Sequence, residues 1–121
     1  MLKKEYRLRK RQDFKKTYQR GKAVKNKYFV LYYSPNQTGK CQIGFSVSKK
    51  IGKAVVRNQV KRKLREACRG VLPLFAPGYN YIFIARYPIK YSSVQELEQL
   101  VKEKLFDLKL KPRRPKPPKR A

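Results

Sequence analysis

Positive charge is the feature that most constrains what this chain can become. Its 121 residues carry 33 Lys and Arg against 7 Asp and Glu, a formal net charge of +26 at pH 7. A compact domain with this excess repels itself, and a bound polyanion relieves the repulsion. Apolar residues still make up 40% of the chain, which is enough for one modest core. The sequence therefore predicts a single folded domain that binds nucleic acid.

Membrane insertion and secretion are disfavoured. The chain has no apolar run of about 18 residues or more, so we expect no transmembrane helix. Residues 1–11 are basic but lack the apolar stretch of a signal peptide, so we expect no export.

The cysteines do not form a metal site. Cys41 and Cys68 stand apart, and the chain has no His, so we expect no ordinary zinc site and no metal bound by the protein. The simplest interpretation is two reduced, buried thiols in a cytoplasmic protein. A disulfide between them is the alternative.

The acidic residues do not suggest a self-sufficient enzyme. Without His, the usual general base and every Ser-His or Cys-His nucleophile arrangement are missing. No pair of acids has a spacing that suggests a two-metal nuclease. We therefore expect no catalytic residue among the scattered carboxylates, which are Glu5, Asp13, Glu66, Glu96, Glu98, Glu103 and Asp107.

Periodicity and turn residues predict six elements in the order α-β-β-α-β-α. This order is typical of an α+β fold, here a single-domain α-β sandwich with helices packed on a small mixed sheet. We expect the first two strands to pair as a hairpin and the nearly all-apolar third strand to be central. The predicted helices cover 11–21, 53–70 and 93–108, and the predicted strands cover 28–34, 41–48 and 79–86.

Both ends of the chain are basic and polar. Residues 1–11 are expected to form a loose arm. Residues 111–121 (KPRRPKPPKRA) hold four prolines and six basic residues. We expect this segment to be a disordered tail that follows a domain of residues 1–110.

The most informative segment is the predicted helix over 53–70. On helical spacing, apolar residues from Val56 to Val71 share one face, which would pack on the sheet. The neighbouring face repeats cations every four residues, an arrangement that destabilises an isolated helix. Bound phosphates would neutralise these cations, so we favour phosphate binding over a passive solvated face. The residues on the cationic face are Arg57, Asn58, Lys61, Arg62, Arg65 and Arg69.

Four segments in order carry a family resemblance. RNQVKRKLRE (57–66) resembles the signature helix of the bacterial ribonuclease P protein family. GFSVSKKIGKAVVRN (44–58), RLRKRQDFKKTYQRGK (7–22) and IFIAR (82–86) are similar to the same family. The resemblance covers about residues 5–110 and excludes the tail.

The resemblance implies two RNA-binding sites. One is the signature helix, which would lie against a catalytic RNA subunit in a 1:1 complex. Its implied contact residues are Lys53, Arg57, Asn58, Lys61, Arg62, Arg65 and Arg69. The other is a cleft between the first helix and the sheet, which would bind the single-stranded 5′ leader of precursor tRNA. Its implied residues are Phe14, Tyr18, Val30, Tyr32, Lys49 and Lys50.

The resemblance also implies how the work is divided. The RNA subunit would carry the cleavage chemistry with Mg²⁺, and the protein would bind no cofactor of its own. The strand-helix-strand unit around the signature helix would be a left-handed crossover, against the general preference for right-handed ones.

The residues themselves leave alternatives open. Phe14 and Tyr18 share a helix face, which by itself favours a core position, whereas the resemblance favours a cleft lined by stacking rings. Asp13 could contact a metal ion or stabilise a helix N-terminus.

Rival functions remain at this point. The main one is a ribosomal or other rRNA-binding protein. A DNA reader lacks a helix-turn-helix partner for residues 53–69. A membrane-surface protein would need large exposed apolar residues on a helix.

Overall fold

The computed structural model describes residues 3–114 and contains three α-helices and four β-strands. The predicted helices and the α+β class are confirmed. In chain order the elements are α1 (Arg11–Arg20), β1 (Lys22–Lys25), β2 (Phe29–Pro35), β3 (Gln42–Ser46), α2 (Ala54–Gly70), β4 (Tyr79–Ala85) and α3 (Val94–Leu108). Short 3-10 turns lie at Lys4–Tyr6, Lys49–Ile51, Leu72–Leu74 and Tyr87–Tyr91.

The sheet has the strand order β1-β2-β4-β3. Strand β2 pairs antiparallel with β1 and β4, and β3 pairs parallel with β4. The first two predicted strands, 28–34 and 41–48, are β2 and β3, and their predicted pairing as a hairpin is wrong, because β4 lies between them. Strand β4 is the most apolar strand and is buried along almost its whole length, so the central position suits it best, as predicted. The unit β3-α2-β4 is the crossover whose left-handed form stays a prediction.

One face of the sheet forms the main core. Phe29 and Leu31 of β2 lie opposite Ala85 and Phe83 of β4, and Ile43 of β3 lies beside them on the same face. These side chains pack with the apolar stripes of α2 and α3 in one buried cluster. The stripes consist of Val60, Leu64, Ala67 and Cys68 in α2 and Leu97, Val101 and Leu105 in α3.

Helix α1 covers part of the other face. Ile82 of β4 and Thr17 of α1 are fully buried between the helix and the sheet. The Thr17 hydroxyl donates to the Asp13 carbonyl at 2.7 Å, and the buried Asn80 amide donates to the Thr17 oxygen at 3.4 Å. This small polar contact holds the middle of α1 on the sheet.

The N-terminal arm is bound to the sheet, which corrects the expectation of a loose segment. Arg7 forms a parallel bridge with Ile43, and the Leu8 N–H donates to the Ile43 carbonyl at 2.9 Å. Leu8 is buried. The arm pairs here because the outer edge of β3 offers unpaired backbone groups.

The predicted tail lies mostly outside the described residues. Its first residues contact the domain: the Tyr79 hydroxyl donates to the Lys111 carbonyl at 3.1 Å, and the Arg113 N–H donates to the Pro77 carbonyl at 3.0 Å. Residues 115–121 are not described, so a disordered tail stays a prediction there.

The expectation of two buried, reduced thiols agrees with the structure. Cys41 and Cys68 are both buried and free. Burial raises the pKa of the Cys41 thiol to about 12.

Within residues 3–114, no helix combines the length and the apolar composition needed to cross a bilayer.

Candidate nucleic-acid interface

An aromatic cleft lies between α1 and the open part of the sheet. The rings of Tyr18 and Tyr32 meet edge to face with centroids 5.1 Å apart, and Phe14 lies 6.4 Å from Tyr18. Val30 shares the strand face of Tyr32 and is half-buried. The structure therefore brings Phe14, Tyr18, Val30 and Tyr32 together, as the resemblance implied. Tyr18 is 36% exposed, so its ring is accessible from the cleft.

Gly44 lets α1 approach the sheet closely. A Cβ placed on Gly44 would lie 2.5 Å from the ring carbon Cζ of Phe14. That separation is shorter than any real contact between carbon atoms, so a larger residue would displace the Phe14 ring. A glycine inside a predicted strand is a signal of such a close approach, but sequence alone does not name the partner.

Two cleft residues were missed by the sequence analysis. Ile84 of β4 is paired with Val30 on one side and with Ser46 of β3 on the other, so all three share the cleft face. Burial raises the pKa of Tyr18, and a hydrogen bond with Ser46 opposes part of this rise. Ile84 and Ser46 could have been found only from the strand pairing.

Tyr28 does not belong to the cleft, although it stands two residues before Val30. It precedes β2, and its ring is buried in the main core. Its hydroxyl donates to the Glu96 carboxylate at 3.0 Å, which lowers the pKa of that carboxyl group. Tyr28 therefore anchors the start of α3.

Cations lie near the cleft. Lys49 and Lys50 are exposed on the 3-10 turn that follows β3 and begins three residues after Ser46. Asp13 lies in the first turn of α1, where a carboxylate interacts favourably with the helix dipole.

Helix α2 divides its predicted RNA-binding residues by exposure. Asn58 and Arg62 are exposed, as is Lys53 immediately before the helix. Arg57, Lys61 and Arg65 are half-buried. The Arg69 guanidinium donates to the Glu66 carboxylate at 2.9 Å, so this cation is partly neutralised.

An open cavity of about 340 Å³ lies between helix α2 and the cleft. Lys61 and Arg65 of α2 line it together with Arg7 and Arg9 of the arm, and Phe14 forms part of its wall. Burial, followed by repulsion from Arg7, lowers the pKa of Arg65. The arm residues were not among the predicted site residues, because the arm was expected to be loose.

The two predicted sites therefore form one surface. Four cations surround a cavity that opens beside an aromatic ring, and no carboxylate among residues 3–114 lines it. Such a surface suits an RNA strand, since cations follow the phosphates and rings stack on bases.

Comparison with known proteins shows the family of the chain. The family model described as Ribonuclease P matches residues 2–109. The ribonuclease P protein component of Exiguobacterium sibiricum is 47% identical over 97 residues, which are 79% of this chain and 84% of that relative. The component from Clostridioides difficile is 41% identical over 96 residues, covering 78% and 84% of the two chains.

Solved structures show the same fold. The Staphylococcus aureus RNase P protein superposes with a TM-score of 0.77 at 34% identity, covering 88% of this chain and 97% of that one. The Thermotoga maritima protein gives a TM-score of 0.66 at 34% identity, covering 84% and 93%. Sequence and fold agree over nearly the whole described domain, and the chain belongs to the ribonuclease P protein family.

Proposed function

We propose that this chain is the protein subunit of ribonuclease P and promotes 5′-end maturation of precursor tRNA. The observation that carries the proposal is the continuity of the cationic helix α2 with the aromatic cleft through the cavity between Lys61, Arg65, Arg7 and Arg9. One RNA would lie on α2 and a second could enter the cleft. A protein that joins a catalytic RNA to its substrate needs such a pair of adjacent sites.

The cleft is the proposed site for the single-stranded leader. Phe14, Tyr18 and Tyr32 offer rings, and Val30 and Ile84 offer apolar contacts. Stacking on a ring is worth about 1–3 kcal/mol per base and tolerates any sequence. This tolerance fits leaders of varied sequence. Lys49 and Lys50 would contact leader phosphates.

Helix α2 is the proposed contact to the catalytic RNA. Its half-buried cations repel one another in the free protein, and RNA phosphates would relieve that repulsion. The exposed Asn58 and Arg62 would add hydrogen bonds to the RNA. We propose a 1:1 complex that acts in the cytoplasm.

The chain is a component of an endoribonuclease, and we propose that its RNA partner carries the chemistry. The RNA would hold the Mg²⁺ ions that position the attacking water and the leaving oxygen. The protein would hold the leader and reduce phosphate repulsion, which lowers the Mg²⁺ concentration that the reaction needs.

A ribosomal or other rRNA-binding role is not favoured. A structural rRNA binder gains nothing from an open cleft with accessible rings next to its cationic helix. The match of residues 2–109 to the Ribonuclease P family also favours the processing role.

The decisive experiment is reconstitution with a bacterial ribonuclease P RNA and a precursor tRNA. At low Mg²⁺ we expect no cleavage with protein alone, slow cleavage with RNA alone, and rapid cleavage with both. Phe14→Ala should weaken precursor binding by about tenfold but leave mature tRNA binding unchanged, because one stacking contact is lost. Phe106→Ala is the matched control, since Phe106 is an exposed ring on α3. If the protein does not alter cleavage at any Mg²⁺ concentration, the proposal fails.

A further inference from the structure

A second open cavity, of about 450 Å³, lies apart from the cleft and from the cavity beside α2, and its described lining shares no residue with either. Its volume lies in the range of about 300–1,000 Å³ that is typical of ligand sites. We call it the apolar cavity, because most of its wall is apolar. The residues that line it are Glu5, Tyr6, Lys40, Cys41, Leu72, Pro73, Phe75 and Pro77.

The chain that follows α3 runs toward this cavity. The Tyr79 hydroxyl donates to the Lys111 carbonyl at 3.1 Å, and the Arg113 N–H donates to the Pro77 carbonyl at 3.0 Å. As the chain advances from 111 to 113, its partners step back from 79 to 77. It therefore passes segment 77–79 in the opposite direction, and Pro77 already belongs to the cavity wall. The same direction leads on to Phe75, which also lines the cavity.

Gly78 allows the chain to follow this path. Its φ of 89° lies in the region that favours glycine. A Cβ placed on Gly78 would lie 2.4 Å from the Cβ of Arg113, so any larger residue would push the passing chain away. The close approach keeps Arg114, one residue later, beside the cavity.

The next residues have the chemistry that such a wall binds. Residues 115–118 read PKPP, and Pro115 follows Arg114 directly, so no linker intervenes. Proline-rich segments favour the polyproline II conformation, with a rise of about 3.1 Å per residue, so four residues reach about 12 Å. Such segments bind in grooves lined by aromatic rings and lose little entropy on binding. Tyr6 and Phe75 supply two rings here.

Charge separates this cavity from the RNA-binding surface. Glu5 and Lys40 are both exposed and balance each other, so the cavity offers no excess of positive charge to phosphates. The Glu5 carboxylate has the sign that suits Lys116, which lies between two prolines of the segment.

We propose that residues 115–118 of the chain itself bind in the apolar cavity, with their prolines against the rings of Tyr6 and Phe75 and with Lys116 beside Glu5. For these residues the proposal replaces the expectation of a disordered tail. Binding would cover Tyr6, the last residue of the turn that precedes Arg7, and would hold the arm on the sheet. The inference is independent of the proposed function, since it requires no RNA.

The test uses the full-length chain with a nitroxide spin label attached through Ala121→Cys; Cys41 and Cys68 are buried and should not take the label. We expect strong paramagnetic broadening of the backbone amide signals of Glu5, Tyr6 and Phe75. Pro115→Ser/Pro117→Ser/Pro118→Ser, which keeps every charge of the segment, should remove most of this broadening.

A change on the cavity side should have the same effect. Tyr6→Ala should remove the broadening at Glu5 and Phe75, because one ring of the site is lost. Tyr91→Ala is the matched control, since it removes a tyrosine ring that is 75% exposed and lies outside the cavity. It should leave the broadening unchanged.

Amide exchange measures the hold on the arm. The Leu8 N–H donates to the Ile43 carbonyl, so its hydrogen exchange reports how often the arm opens. If the tail is bound about nine-tenths of the time and must leave before the arm opens, opening becomes about tenfold rarer. The triple serine variant should therefore exchange the Leu8 proton about tenfold faster than the natural chain.

Other outcomes overturn the inference in distinguishable ways. Equal broadening and equal Leu8 exchange in the natural and triple serine chains would mean that the prolines do not bind. Broadening that survives Tyr6→Ala would place the tail elsewhere on the domain. An isotope-labelled chain without nitroxide can also be mixed with an unlabelled chain that carries it. Broadening in that mixture would mean that the cavity receives the tail of a second copy.

Discussion

Neutralising the two α2 cations at the cavity should weaken RNA binding without weakening the fold. Lys61 and Arg65 are one turn apart on α2 and line the cavity together with Arg7 and Arg9. Lys61→Gln/Arg65→Gln keeps much of each side-chain volume and removes both charges. If each cation neutralises one phosphate of the catalytic RNA, the double variant loses two phosphate contacts.

The size of the effect follows from counterion release. Each lost phosphate contact reduces the slope of log K against log salt by about 0.7–0.9, so two contacts reduce it by about 1.4–1.8. If the variant and the natural chain bind equally at 1 M salt, this difference in slope makes the variant bind about 15- to 30-fold more weakly at about 0.15 M salt. Stability should rise by about 0.2–0.5 kcal/mol, because like charges four residues apart repel each other.

The assay is a titration of the RNA subunit with protein at several salt concentrations, with urea unfolding of each variant alone. Lys102→Gln/Lys104→Gln is the matched control, since it removes the same charge from α3, outside the proposed surface. An equal change of slope in both variants would show that net charge alone drives binding, and would refute the role assigned to the cavity. A loss of stability above about 1 kcal/mol would refute the claim that these cations repel each other.

Three further results are expected. Gly44→Ala should displace the Phe14 ring, since the new Cβ would lie 2.5 Å from its Cζ. Leader binding should then fall about as far as in Phe14→Ala, while circular dichroism stays unchanged; unchanged leader affinity would contradict this packing. Lys63→Met should cost about 1–3 kcal/mol in urea unfolding, because three carbonyls lose their donor; Lys102→Met is the control. Burial raises the pKa of Cys41 to about 12, so at pH 8 its thiol is protonated and should resist iodoacetamide until the protein unfolds. Fast alkylation of the folded protein would mean that Cys41 is not buried.

Local signals predicted the helices and the central strand correctly. The predicted helix 93–108 begins where expected: Ser93 and Glu96 form a capping box, and α3 starts directly after Ser93. The apolar run 79–85 became the central strand, because only a strand covered on both faces can bury so many side chains. The division of α2 into an apolar and a cationic face follows from helical periodicity alone.

Strand pairing could not be read from local signals. Strand β1 (Lys22–Lys25) has little apolar character and forms by pairing with the exposed edge of β2. The predicted hairpin failed because β4, although distant in the chain, buries more apolar surface between β2 and β3 than a direct pairing of those two would. The arm was expected to be loose because residues 1–11 are basic and polar, yet the edge of β3 pairs with its backbone.

The sequence by itself determined the kind of chemistry this protein offers: a net charge that calls for RNA, a cationic helix face, and aromatic residues suited to stacking. Only the tertiary structure decided which of these groups are neighbours. Phe14 lies on Gly44, and Lys61 and Arg65 meet Arg7 and Arg9 around one cavity. The physical reason is that periodicity assigns a residue to a face of its own element, whereas contacts between elements depend on which strands pair and how closely the backbones approach.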